Sequence, residues 1–210
     1  MNDKAKKRLV LTTIVALLPI LLALILYPRL PDRVPIHFNS AGEADNWADK
    51  TYACFGMPCF FALISAFCQF VVANDPKRQR ISEKMIVITA WTIPVISVLF
   101  CSASLMIAIG WNISIGSLVM LVLGILFLVI GNYLPKCKRN FTTGIKLPWT
   151  LASEDNWNYT HRIAGYTWIG AGLLFLVNVF VNGEWLFAAV LVLAVVIPVV
   201  ASFLYYKRHS

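Results

Sequence analysis

Six stretches of this chain are long enough to cross a bilayer, and none contains a Lys, Arg, Asp or Glu. They are Leu9–Tyr27, Thr51–Ala73, Ile86–Ile109, Ile115–Leu134, Ile163–Val181 and Trp185–Tyr206. About 20 apolar residues in a helix span about 30 Å of hydrocarbon. Hydrocarbon offers no partner for backbone N–H and C=O groups, so a spanning segment must satisfy them itself. Continuous apolar runs of this length select the helix over the shorter, alternating strand of a barrel. The chain is 59% hydrophobic and 13% charged, whereas soluble domains carry about 25% charged residues. A soluble globular enzyme is excluded, as are a disordered chain, a collagen-like fibre and a small disulfide scaffold. The expected fold is an all-α integral membrane protein, a six-helix transmembrane bundle.

The basic residues orient the bundle. Lys4, Lys6, Lys7 and Arg8 precede the first span, and Lys77, Arg78, Arg80 and Lys84 follow the second. Lys136, Lys138, Arg139, Lys146 and Arg162 lie between the fourth and fifth, and Lys207 and Arg208 close the chain. The opposite side holds Arg29, Arg33 and Lys50. The positive-inside rule places both termini in the cytoplasm. The net charge of +8 is thus a topology signal and a match to anionic lipid headgroups, and no direct nucleic-acid binding is expected. The first span resembles a signal peptide in its basic start. It is longer than an h-region of about 7–15 residues, and Pro28-Arg29-Leu30-Pro31 offers no small-residue cleavage site, so it reads as an uncleaved helix. Of the cysteines, Cys54, Cys59, Cys68 and Cys101 lie in apolar runs and Cys137 in a basic loop; without a C-x-x-C pair they read as apolar fillers and one free thiol.

Two outer connections, Gly110-Trp111-Asn112-Ile113-Ser114 and Val181-Asn182-Gly183-Glu184, are short enough to force tight helical hairpins. Pro19, Pro58, Pro94 and Pro198 fall inside spans and can kink them. Gly165 with Gly170-Ala171-Gly172 gives the fifth span a small-residue face for close packing.

Only two soluble segments are long enough to hold a site. In the outer one, residues 28–50, Val34, Ile36 and Phe38 alternate with Pro35, His37 and Asn39, which predicts a short strand, an edge or isolated one because of Pro35. Asn39-Ser40-Ala41-Gly42 reads as a turn. Glu43, Asp45, Trp47 and Asp49 then lead into the second span, with Trp47 at the membrane surface. His37, Glu43, Asp45 and Asp49 fit no standard metal-ligand spacing, and a solvated acidic rim accounts for them.

The inner segment, residues 135–162, is richer. Gly144 and Pro148 bracket an extended or turning Ile145-Lys146-Leu147. Thr150 or Ser153 can cap a new helix whose first turn holds Glu154 and Asp155. Trp157, His161, Gly165 and Trp168 then share one face of a helix running into the fifth span. Trp149, Trp157 and Tyr159 suit either interfacial anchoring or a docking surface, and His161 reads as a capped interfacial histidine.

Hydrolase, nucleotide-binding and zinc-protease motifs are absent from the sequence, and no ionisable residue lies within a span. Coupled transporters generally need such residues. A passive channel or a binding protein is not excluded by this argument.

The inner run Thr143-Gly144-Ile145-Lys146-Leu147-Pro148-Trp149-Thr150-Leu151, followed by Glu154, Asp155, Trp157, His161-Arg162 and Gly165, resembles the signature of the SdpI family. These are six-span bacterial membrane proteins that confer immunity to a secreted cytolytic peptide. The outer Pro35-Ile36-His37-Phe38-Asn39, with Gly42, Asp45, Trp47 and Lys50, is similar to a small domain of unknown function common at the N-terminus of that family. The resemblance implies a bacterial plasma-membrane location, immunity to a toxin peptide, and signalling by holding a small transcriptional repressor at the membrane. It divides the chain into 1–73, a hairpin of two spans with an extracellular loop, and 74–210, an SdpI-like four-helix domain.

The sequence reading is therefore a non-enzymatic membrane receptor without a cofactor. Its inner binding residues are Gly144, Lys146, Pro148, Trp149, Thr150, Glu154, Asp155, Trp157, His161 and Arg162. Lys146 and Arg162 would pair with Glu154, Asp155 or lipid, and Trp149 and Trp157 would give apolar docking area. The outer binding residues are Pro35, His37, Phe38, Asn39, Gly42, Asp45 and Trp47. A small-molecule or peptide transporter or channel is the rival reading, followed by a membrane enzyme built on His37 or His161.

Overall fold

A computed structural model describes residues 3–39, 42–181 and 183–209. Six helical segments in it are long and apolar enough to cross a membrane: Asp3–Arg29, Tyr52–Ala73, Glu83–Ala108, Ile115–Lys136, Glu154–Val181 and Glu184–His209. All six expected spans are present. The fifth begins nine residues earlier than its apolar run, because its polar start continues the same helix. The chain divides into two compact units, Met1–Phe70 with Val87–Gly116, and Val71–Ile86 with Ser117–Ser210.

In the first unit, α1 (Asp3–Leu17) and α2 (Pro19–Leu26) form one span broken at Pro19. Proline has no N–H to donate back into α1, and its ring crowds the preceding turn. Polar groups inside these spans are paired. Gln69 donates to the Thr12 hydroxyl at 2.8 Å, and the Ser97 hydroxyl donates to the Ala16 carbonyl at 2.8 Å. Ser97 lies on α4 (Glu83–Ala108), and Gln69 on α3 (Met57–Ala73).

The outer segment corrects the all-α reading. Arg33–Phe38 forms β1 as the alternation predicts, but Ala44–Asp49 also becomes a strand, β2, and the two pair as an antiparallel hairpin. Pro35 faces Trp47, and the register is irregular on either side of His37. Ser40 and Ala41 of the expected turn lie outside the described residues. Its ends behave as a turn should: Gly42 has φ +81° and donates to the Asn39 carbonyl at 2.9 Å, while the Asn39 side chain accepts the Glu43 N–H at 3.0 Å. The hairpin is held by its inner face. Val34 is fully buried with Leu30, Ala53, Cys54 and Leu105, and the Ser104 hydroxyl donates to the Pro35 carbonyl. Asp49 accepts the Thr51 N–H at 2.7 Å and leads into a π-helical turn at Tyr52–Gly56, just before Pro58. α4 runs through Pro94 unbroken, and Gly110 reverses the chain after it with φ +97°.

In the second unit, α5 (Ile115–Tyr133) crosses α7 (Glu154–Val181) through glycines on both helices. A Cβ on Gly172 would meet the Gly124 carbonyl at 2.8 Å, and one on Gly165 would meet the Gly131 carbonyl at 3.0 Å. Two antiparallel helices with glycines seven residues apart thus bring backbone against backbone. Gly165 and Gly172 are the expected small-residue face. Gly170 is not part of it, with open space where its Cβ would stand. α8 (Glu184–His209) packs back on α7 over Phe175, Ala171, Val190 and Ala194, with the Trp168 indole donating to the Ala194 carbonyl at 3.1 Å. Asn182 of the expected turn lies outside the described residues. Beside it, Asn178 accepts the Gly183 N–H at 2.9 Å and donates to the Gly183 carbonyl at 3.1 Å. Pro198 is buried within α8, which continues through it.

Candidate functional site

Within the second unit, the inner segment folds into a compact module rather than a flexible connector. It starts with Asn140, fully buried, whose side-chain oxygen accepts the N–H groups of Thr142 at 2.9 Å and Thr143 at 2.7 Å. This is an Asx turn, in which the side chain stands in for a backbone carbonyl. Asp75, 5% exposed, grips the same turn. Its carboxylate accepts the Phe141 N–H at 3.0 Å, the Thr142 hydroxyl at 2.7 Å and the Lys77 N–H at 2.6 Å. Burial alone would raise its pKa, but the Thr142 hydroxyl and the N–H groups of Lys77, Phe141 and Thr142 outweigh it and hold the carboxyl below its ordinary value.

The chain then reaches Gly144, at φ +106°. A Cβ here would stand 2.4 Å from the His161 Nε2 and 3.0 Å from the Trp157 ring, so conformation and space both require glycine. The next residue, Ile145, donates its N–H to His161 Nε2 at 2.9 Å. That nitrogen must be unprotonated, so the ring proton sits on Nδ1 and is donated to the Trp157 carbonyl at 2.7 Å. The His161 ring stacks on the Trp157 indole with centroids 4.0 Å apart, and the Trp157 Nε1–H donates to the Cys137 carbonyl at 2.6 Å. Cys137 itself is buried. Desolvation pushes its thiol pKa up, against hydrogen bonds from Thr143 and Asn140.

Pro148 opens a short helix, α6 (Pro148–Ala152). Thr150 does not cap a helix from outside as expected. It sits in the first turn and reaches back, accepting the Leu147 N–H at 2.8 Å. Ser153 does cap α7, accepting the Asn156 N–H at 3.2 Å, and Glu154 and Asp155 occupy its first turn. The neighbouring Trp149 donates its Nε1–H to the Ser202 hydroxyl of α8 at 2.6 Å and packs against Phe203 and Tyr206. Ser202 donates to Asn156 Oδ1 at 3.1 Å, and Asn156 Nδ2 returns a bond to the Ser202 carbonyl at 3.1 Å. Tryptophan, serine and asparagine thereby tie the module to the end of α8.

Several sequence readings are corrected here. Trp157 is fully buried, so it frames the module and offers no docking area. His161 is equally buried, not an interfacial side chain. Glu154 pairs with neither Lys146 nor Arg162. Both its oxygens accept from Arg80 at 3.0 Å, and Arg139 lies at 3.5 Å. Lys146 donates to the Thr142 carbonyl at 3.0 Å, and it is exposed together with Pro148, Asp155 and Arg162. Phe141 is 47% exposed beneath the Lys77 ammonium. Asp75, Asn140, Asn156 and Ser202 were absent from the sequence reading, and Cys137 entered it only as a free thiol. The Asn-x-Thr-Thr pattern of residues 140–143 was the one local signal for any of them.

In the other unit, the outer residues form a second, shallower constellation. His37 Nδ1 lies 2.6 Å from an Asp45 oxygen, both exposed at the surface of the hairpin. Pro35 is buried, Phe38 half-buried, and Trp47 44% exposed. Among the described residues no three His, Cys, Asp or Glu side chains converge where a metal ion could sit, so Glu43 and Asp49 do not join this pair as ligands.

These features define a six-span helical membrane protein with a hydrogen-bonded module between its fourth and fifth spans. Residues 136–202 match the SdpI/YfhL protein family, and residues 14–62 match a domain of unknown function, DUF1648. The chain is 25% identical over 205 residues to the immunity protein SdpI of Bacillus subtilis (strain 168), covering 96% of this chain and 97% of that one. The resemblance read from both long segments is therefore shown. No solved structure matches the chain.

Proposed function

We propose that this protein is a bacterial plasma-membrane immunity protein that protects the cell from a secreted cytolytic peptide. The observation that carries the reading is the similarity to an immunity protein along nearly the whole chain. It is supported by the way the motif residues of 143–165 lock into one module. Both termini are cytoplasmic in this reading, on the distribution of Lys and Arg. This reading keeps a division into 1–73 and 74–210, within which the family matches cover 14–62 and 136–202.

The protein acts by binding, without a catalytic step. The hairpin of 33–49, with Phe38, Asn39, Gly42, Asp45, Trp47 and the His37–Asp45 pair, meets the peptide outside. The module of 137–162 answers inside, where its exposed residues Phe141, Lys146, Pro148, Asp155 and Arg162 present a surface to a small cytoplasmic repressor. A bound peptide can shift the module only by binding two of its states unequally. The test is survival of a peptide-sensitive bacterial strain expressing the protein and exposed to the toxin peptide, with membrane insertion checked in parallel. Survival is the expected result, and killing despite correct insertion would overturn the reading.

A further inference from the structure

Among the cationic side chains of the second unit, two share one aromatic ring. Arg80 and Arg139 meet Glu154, and Arg78 lies 3.3 Å from Glu83. Lys84 and Lys136 have no carboxylate within ion-pair distance among the described residues. Both instead sit over one ring, Tyr133, with their ammonium nitrogens 5.8 and 5.1 Å from its centroid. They come from separate segments, Lys84 from the start of its span and Lys136 from the last residue of its own. Two like charges held near one ring repel each other, and an anion that reaches both relieves that repulsion. A ring quadrupole offsets only about 1 kcal/mol per cation at such a site.

An apolar track leads away from the pair. Val129, Ile125 and Leu121 stand at four-residue steps before Tyr133, on a ridge that winds slowly round α5, exposed by 38%, 49% and 44%. At 1.5 Å per residue this track is about 18 Å long, close to the depth of one leaflet.

We infer that Lys84, Lys136 and Tyr133 form a binding site for an anionic phospholipid, with an acyl chain lying along Val129, Ile125 and Leu121. The phosphate accepts hydrogen bonds from both ammonium groups, and the phenol hydroxyl sits at headgroup depth. The depth of both lysines, at the ends of spans, selects a membrane lipid over a soluble anion. The site does not depend on the immunity reading.

The test uses the full chain purified in detergent, with phosphatidylglycerol and phosphatidylcholine as probes and native mass spectrometry as the readout. Phosphatidylglycerol should be retained over phosphatidylcholine by about tenfold. The double variant Lys84→Gln/Lys136→Gln should lose that preference, while Lys207→Gln/Arg208→Gln, which removes the same charge at the tail, should keep it. Circular dichroism and gel filtration confirm that both variants are folded. Equal loss in the two variants would reduce the effect to general surface charge and overturn the site, as would an unchanged preference in the first. Glycerol phosphate, the headgroup without chains, should not compete. Competition at the concentration of the lipid would remove the acyl track from the proposal and overturn it as a lipid site.

Discussion

The Nε2 atom of His161 accepts the backbone N–H of Ile145 across sixteen residues, at 2.9 Å. This bond turns a helix side chain into the anchor of a loop. Its removal leaves a part-buried N–H without a partner, which costs about 1–3 kcal/mol. His161→Phe keeps the stacking on Trp157 but cannot accept, so it should lower the thermal unfolding midpoint in detergent. His161→Gln, which retains an acceptor, should lose less. Equal stability of His161→Phe and the parent protein would show that the bond does not hold the loop.

Gly144 tests the same contact from the other side. An alanine there pays for a left-handed backbone, about 1 kcal/mol, and its Cβ would also stand 2.4 Å from the His161 ring nitrogen. Gly144→Ala should therefore cost more than 1 kcal/mol and raise protease cleavage within 137–147. Placed in His161→Ala, Gly144→Ala should cost only its backbone term of about 1 kcal/mol, because the 2.4 Å contact is gone. Full additivity in that double variant, measured by thermal unfolding, would mean the steric term is absent.

The glycine contact between α5 and α7 separates packing from mere composition. Gly172→Val places a branched side chain against the Gly124 carbonyl and the Leu128 backbone, whereas Gly170→Ala enters open space. Overpacking of this kind costs about 1–3 kcal/mol. Gly172→Val should lower the unfolding midpoint and Gly170→Ala should leave it unchanged or raised slightly. A drop for both would mean that the cost does not come from the crossing contact at Gly172.

Asp75 gives the module a pH dependence. Its folded pKa lies below the ordinary carboxylate value, so its contribution is complete above about pH 4, the unfolded value. The contribution is lost as pH falls through the folded pKa. Protection of the Phe141 and Thr142 amides, relative to their intrinsic exchange rates, should fall on acidification below about pH 4, and Asp75→Asn should show low protection at all pH values. An acid-induced step that survives in Asp75→Asn would assign it to another group.

How much of this was legible beforehand depended on the range of the interaction. The spans were legible because lipid imposes the same demand on every residue of a segment. Glu154 and Asp155 at the start of α7, and its Ser153 cap, were local and visible. The partner of each motif residue was not. Asn156 and Ser202 are 46 residues apart, and Thr142 and Asp75 are 67 apart. Period-2 alternation revealed β1, but β2 reads Ala-Asp-Asn-Trp-Ala-Asp, a polar sequence that becomes a strand only because β1 lies across from it. The aromatic residues of the inner loop were equally ambiguous. Trp149 and Trp157 look alike in the sequence, yet Trp157 is sealed against His161 while Trp149 reaches α8.

That difference sets the last prediction. Trp149 bonds Ser202 through its indole N–H and packs on Phe203 and Tyr206, so it couples the inner module to the end of the sixth span. If immunity requires that coupling, Trp149→Ala should abolish protection while the protein still inserts at parent levels. Trp149→Phe retains much of the ring contact and loses only the hydrogen bond, about 1 kcal/mol, and should protect in part. Ser202→Ala removes the same bond from α8 together with the Ser202–Asn156 bond, so it should protect no better than Trp149→Phe, and the double variant should be no worse than Ser202→Ala alone. Survival curves across a toxin dilution series, with membrane levels measured in the same cells, separate these outcomes. Protection by Trp149→Ala equal to that of the parent would show that the module's attachment to α8 is structural and plays no part in immunity.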